Sequence, residues 1–189
     1  MNSMVRRQEL ISTTEYLELE AASPVRHEYV EGHVYALTGV SNRHDRIVVN
    51  MIVSLGSRAR GTDCRVHTGE LMVRVSASRY YYPDVHVVCQ PGDDESHTTT
   101  APCVVIEVLS PSTTGVDRRE KLFAYRQIES LQAYLVVHQD ERKVEQHWLD
   151  NGVWRHDILE GSAAVHIPCL DFDLPLDIIY EGITFNTAQ

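Results

Sequence analysis

The sequence predicts a mixed α/β (α+β) fold, in which helices flank one mixed β-sheet, and three observations carry that prediction. Cys103 to Leu109 is apolar on both faces apart from one carboxylate, which marks a central strand covered on both sides. From Asn42, the residues Ile47, Val48, Met51, Ile52 and Leu55 recur three and four apart, which makes one apolar helical stripe. Glu31-Gly32 and Asp150-Asn151-Gly152 interrupt alternating segments as hairpin turns, one near each end of the chain.

In chain order, Ser12-Thr13-Thr14-Glu15 is a capping box: the Ser12 hydroxyl accepts from the backbone three residues on and Glu15 reaches back. A short helix through Ala22 follows and ends at Ser23-Pro24. His27 to Leu37 reads as an N-terminal hairpin with Gly32 at its turn. The stripe that starts at Asn42 gives a helix of about four turns that packs on the sheet.

Cys64 to Val75 and Arg79 to Cys89 read as two strands parted by Ser76-Ala77-Ser78, and Gln90 to Thr100 as a surface loop. After the central strand come a loop, Ser110 to Gly115, and an amphipathic helix, Asp117 to Gln127, with Leu122, Ala124, Tyr125 and Ile128 inward. Ala133 to His138, Val144 to Leu149 and Val153 to Leu159 complete a C-terminal β-meander, and the tail from Pro168 shows little regular pattern. No repeat or linker divides the 189 residues, so residues 1–189 are expected to form a single domain.

A content of 43% hydrophobic and 23% charged residues is that of a globular chain rather than a disordered or fibrous one. Neither a secretory h-region nor a run near the ~18 apolar residues of a membrane span is visible. Cys64, Cys89, Cys103 and Cys169 are widely spaced with no C-x-x-C pair, so four ordinary thiols are expected rather than a disulfide framework or a zinc site. Together these features point to the cytoplasm and to no membrane partner. The net charge of −10 opposes long-range capture of a polyanion. Its distribution is uneven: residues 127–189 hold three basic and eleven acidic side chains, whereas residues 43–126 hold eleven basic and ten acidic. A nucleic acid would therefore meet the middle of the chain.

Strand alternation puts Tyr82, Asp84, His86 and Val88 on one face, and Val105, Glu107 and Leu109 on one face of the next strand. Asp84 and Glu107 can thus converge. A carboxylate in an apolar central strand is costly to bury unless it is paired or bound to a cation. Two hard oxygen donors with waters suit Mg²⁺, which binds through one or two carboxylates plus substrate phosphate. Lys121 and Arg118 on the following helix could orient an attacking water or contact phosphate.

The runs Tyr82-Pro83-Asp84-Val85, Val105 to Thr113, Asp117-Arg118-Arg119-Glu120-Lys121-Leu122 to Tyr125, and Ala133 to Val137 resemble the signature of the Uma-type restriction-endonuclease family, part of the PD-(D/E)XK nuclease superfamily. The resemblance extends from the N-terminal hairpin, with Glu28 and Gly32 in matching places, through the helix carrying His44 to the late meander. It implies a restriction-endonuclease-like core and hydrolysis of a phosphodiester in nucleic acid, most simply DNA. It also implies Mg²⁺, with Mn²⁺ as a substitute, on Asp84 and Glu107, and a homodimer for cutting both strands. The wider superfamily places a lysine two residues after the glutamate, where this chain has Leu109; Lys121 on the following helix takes that place in the family pattern. Glu28, His44 and Arg118 are accessory candidates.

Taken singly, each residue has a plainer reading. Asp84 after Pro83 would bond a nearby loop, Glu107 would pair with an arginine such as Arg118, and Lys121 would lie on a solvated helix face. His86 is more simply a satisfied strand histidine, Tyr80 to Tyr82 are packing residues, and Arg119 and Arg126 are surface cations. The ten histidines show no H-x-x-H or H-E-x-x-H spacing, which argues against a zinc hydrolase. Two functions remain: a Mg²⁺-dependent endonuclease, favoured by the intact acid pair, and a nuclease-fold binding module, favoured by the acidic surface.

Overall fold

The computed structural model describes residues 10–90, 92, 96–110 and 115–185, with side chains from Arg118 onward in the last stretch. Helix α1 (Thr13–Ala22) starts at the expected capping box: Glu15 N–H donates to Ser12 Oγ at 3.2 Å and Ser12 N–H donates to Glu15 Oε2 at 2.7 Å. Strands β1 (His27–Val30) and β2 (His33–Ala36) form the hairpin, turned through Glu31 and Gly32 at φ 48° and 94°. A two-residue turn of this hand needs positive φ at both positions, which glycine adopts without strain. Helix α2 (Asn42–Ala59) is capped by Ser41 and buries Ile47, Met51, Leu55 and Ala59. Truncating Leu55 to Ala would cost about 2–5 kcal/mol, the range for a fully buried aliphatic side chain.

The two strands expected between Cys64 and Cys89 are four: β3 (Arg65–Thr68), β4 (Met72–Ser76), β5 (Arg79–Tyr81) and β6 (Val85–Val88). A turn closed by Leu71 N–H on Thr68 O at 3.2 Å separates the first two. Pro83, which has no N–H to give a ladder, separates the last two. At both breaks the chain changes sheet. Within the expected loop lies a two-residue strand, β7 (Thr98–Thr99).

Strand β8 (Pro102–Leu109) is followed by α3 (Gly115–Tyr125) and by β9 (Ala133–His138), β10 (Lys143–Asp150) and β11 (Val153–Glu160). The expected loop at residues 111–114 lies outside the described residues. Contrary to the expectation for the tail, the chain goes on as β12 (Ala164–Ile167), a 3-10 turn (Pro168–Leu170), β13 (Phe172–Pro175) and the one-turn helix α4 (Leu176–Ile179).

The main sheet has the order β11-β10-β9-β8-β6-β3, with β8 and β9 parallel and every other pair antiparallel. A second sheet, β2-β1-β5-β4-β7, carries the N-terminal hairpin, and β12 pairs with β13. Each face of the main sheet has its own core. Val85, Val87, Val104, Ile106 and Val108 pack with Ile47, Met51 and Leu55 of α2. On the other face, Val105, Tyr134 and Val136 pack with Ala124, Tyr125 and Ile128 beside α3. The strand read as covered on both sides is so, and Glu107 interrupts the α3 side. No described helix is long and apolar enough to cross a membrane.

The cysteines depart from expectation. Register places Arg65 opposite Val88, so the flanking Cys64 and Cys89 meet beyond the ends of β3 and β6, where they pair as a disulfide. Cys103 on β8 pairs with Cys169 in the 3-10 turn, and Cys89 Sγ lies 3.6 Å from Cys103 Sγ. Linear spacing missed this because all three approaches depend on tertiary structure.

Candidate active site

Strand register builds the site. Val85 pairs with Ile106, so Asp84, one step before β6, lies opposite Glu107 on β8. Asp84 sits where the β6 ladder has run out, and its side chain takes the place of a strand carbonyl: Val108 N–H donates to Asp84 Oδ2 at 2.7 Å. The other oxygen, Oδ1, is 3.0 Å from His44 Nε2. Both oxygens are therefore oriented from the two sides of the sheet end, one by β8 and one by the first turn of α2.

Glu107 is met from α3. Lys121 and Tyr125 lie four residues apart on one helix face. The Lys121 ammonium donates to Glu107 Oε1 at 3.1 Å and the Tyr125 hydroxyl donates to the same oxygen at 2.9 Å. Among the described residues, no donor reaches Glu107 Oε2. Lys121 also donates to Glu28 Oε1 at 2.9 Å, and that oxygen accepts from Tyr82 N–H at 3.3 Å. One ammonium thus joins the N-terminal hairpin to the central strand.

Burial dominates the electrostatics of Glu107 and raises its carboxyl to about 8. The Lys121 ammonium opposes the rise, while the Asp84 and Glu28 carboxylates add to it. A site that concentrates negative charge against a single ammonium is one that a further cation would stabilise.

Glu28, Tyr35, Ser41, His44, Tyr82, Asp84, Glu107, Lys121 and Gln139 line a cleft of about 520 Å³. Five of the six candidates read from the sequence, Asp84, Glu107, Lys121, Glu28 and His44, come together there. Arg118 does not: its guanidinium donates to Glu145 at 2.6 Å and lines a separate hollow with His147 and His156. It lies one turn before Lys121 on the same side of α3, where the helix passes β10 and Glu145 takes its guanidinium. The plainer reading of Glu107 as the partner of Arg118 fails for the same reason. His86 shares the Asp84 face as parity predicts, but it packs on His67 at 5.1 Å between ring centres, away from the cleft lining. Tyr80 and Tyr82 are packing residues beside Tyr16 and Tyr29, as expected.

Two contacts escaped the sequence. From the sequence Tyr125 reads only as an inward position, though its spacing from Lys121 is the available signal. The His44 to Asp84 contact had none, since it joins residues forty apart.

The architecture is that of a nuclease-like fold. A crystal structure described as a "putative nuclease belonging to DUF820" from Anabaena variabilis superposes with a TM-score of 0.75, covering 89% of this chain and 97% of that one; at 19% identity the likeness concerns the fold alone. The chain belongs to the Uma2 family, described as "Putative restriction endonuclease", whose sequence model matches residues 13–178. Two uncharacterized proteins of Synechocystis sp. are similar. One is 34% identical over 178 residues, 93% of this chain and 94% of that protein, and the other is 28% identical over 146 residues, 75% and 82%.

Proposed function

We propose that this protein is a metal-dependent endonuclease that hydrolyses phosphodiester bonds in DNA, with Mg²⁺, or Mn²⁺ in its place, held by Asp84 and Glu107. The observation that carries this reading is the pairing of two carboxylates across β6 and β8 at the wall of an open cleft, with Lys121 beside them. The donor set fits the ion: hard carboxylate oxygens, one of them Glu107 Oε2 with no protein donor among the described residues, in a site short of positive charge. Bound there, the ion would lower the pKa of a coordinated water and offset charge that develops on the phosphodiester.

The chain's own residues supply position and charge. Val108 N–H and His44 fix the Asp84 carboxylate, so it needs no reorganisation when a cation or substrate arrives. Tyr125 orients Glu107 through its hydroxyl, which donates to Oε1. Lys121, braced by Glu28, brings a cation to the wall where an attacking water and the scissile phosphate would meet. The net charge of −10 favours the second reading, a nuclease-fold binding module.

Incubation with end-labelled DNA and RNA of one sequence, with Mg²⁺ or with EDTA, separates these readings. Metal-dependent cuts in DNA that vanish in a Glu107→Gln variant are expected. Intact DNA and RNA under all conditions would overturn the enzymatic reading, and cuts in RNA alone would overturn the substrate.

A further inference from the structure

Four cysteines drawn from four separate segments share one point of the fold, at the end of β8 away from Glu107. Cys64 precedes β3, Cys89 follows β6, Cys103 is on β8 and Cys169 is in the 3-10 turn. Their sulfurs do not form two isolated crosslinks. Those of Cys89, Cys103 and Cys169 all lie within 4.8 Å of one another, and Cys64 Sγ is bonded to Cys89. Four thiolates around a tetrahedral zinc, each at ~2.3 Å, stand about 3.8 Å apart. The 3.6 Å between Cys89 and Cys103 is already that separation.

We infer that the reduced thiols of Cys64, Cys89, Cys103 and Cys169 bind one zinc ion as a closed structural site, and that the two disulfides are its oxidised, metal-free counterpart. The pocket has the required character. Cys103 is buried in the apolar core on the α2 side, and the other three are half-buried at its rim. Arg58 donates to Leu170 O and Asp171 O, both at 3.2 Å, and so clamps the turn that presents Cys169.

The conversion balances. Two equivalents of a dithiol reductant give four electrons and four protons to the two disulfides and are themselves oxidised to disulfides. Zinc then binds the four thiolates and displaces their protons. Closed by four protein ligands, the ion would be structural. It would tie the β12–β13 unit to the end of the main sheet, and it has no part in the proposed nuclease chemistry.

The test is metal analysis of the whole protein, purified under reductant without chelator, together with the cobalt-substituted form. One zinc per chain is expected in the wild type and in Asp84→Asn, falling below about one fifth of that in Cys64→Ser and Cys169→Ser because structural sites need all four ligands. Retention in Asp84→Asn separates this metal from one at the acidic cleft. If the serine variants fail to fold, the wild-type cobalt spectrum decides, since intense thiolate charge transfer with tetrahedral d–d bands is expected. Reduced wild type that keeps no zinc after excess metal and desalting, or cobalt bands of an octahedral oxygen site, would overturn the inference.

Discussion

Lys121 Nζ lies 3.1 Å from Glu107 Oε1, and the same ammonium, almost wholly buried, also holds Glu28 at 2.9 Å. Removing it would leave two carboxylates in a poorly hydrated place with one main source of compensation gone. Lys121→Met should therefore lower unfolding free energy by about 3–5 kcal/mol above pH 8, where Glu107 is ionised, the usual cost of breaking a buried pair from one side. It should also abolish cleavage. Adding Glu28→Gln to that variant should restore part of the stability and none of the activity. Urea titrations of the three proteins measure this, and a Lys121→Met protein as stable as wild type would show that the ammonium does not hold the two acids.

Glu107 supplies a pH dependence for metal binding. Its carboxyl, raised to about 8 chiefly by burial, keeps a proton below that pH, and a cation must displace it. The sign follows: affinity for Mn²⁺ should rise with pH, by about tenfold per unit below pH 8 for one displaced proton, and level off above. Calorimetric titrations in buffers of different ionisation enthalpy would report both the affinity and the released proton. An affinity that stays flat between about pH 6 and 8 would remove Glu107 from the ligand set, because a ligand with a raised pKa must exchange its proton for metal.

His86 contributes a loss of stability in acid. It is fully buried, neither ring nitrogen has a partner among the described residues, and burial, with His67 alongside, pushes its pKa down to about 3. The unfolded chain takes up a proton near the ordinary value of 6.5 while the folded chain refuses it. The stabilisation is therefore complete above about pH 6.5 and is lost as pH falls toward 3, by up to about 1.4 kcal/mol per unit. His86→Leu should flatten that fall, as denaturant midpoints from pH 7 to 4 would reveal. Identical slopes in the two proteins would assign acid sensitivity elsewhere.

How much was legible in the sequence depended on whether the signal was local. The run from Cys103 to Leu109 gave β8 because burial on both faces leaves no polar alternation, and Ala133–His138 was found with correct bounds for the same reason. Asn151 and Gly152 marked their hairpin because both adopt positive φ, 49° and 80°. The acid pair was legible because two alternating strands fix parity. Relations between elements were hidden. An alternating pattern reads the same whichever sheet it joins, so the passage of the chain between sheets at Gly69 and Pro83 was invisible. Short β12 and β13 had no span long enough to show a period, and the cysteine cluster arises only when β3, β6, β8 and the 3-10 turn are assembled. Arg118 was misplaced because helical spacing gives a face without saying which neighbour that face meets.

The central claim, that Asp84 and Glu107 form a metal-dependent nuclease centre, is tested most directly on supercoiled plasmid, with wild type and Asp84→Ala purified in parallel and Mg²⁺, Mn²⁺ or EDTA present. Nicking by wild type that requires the metal and disappears in Asp84→Ala is the predicted result. No nicking by either protein, or equal nicking by both, would contradict it.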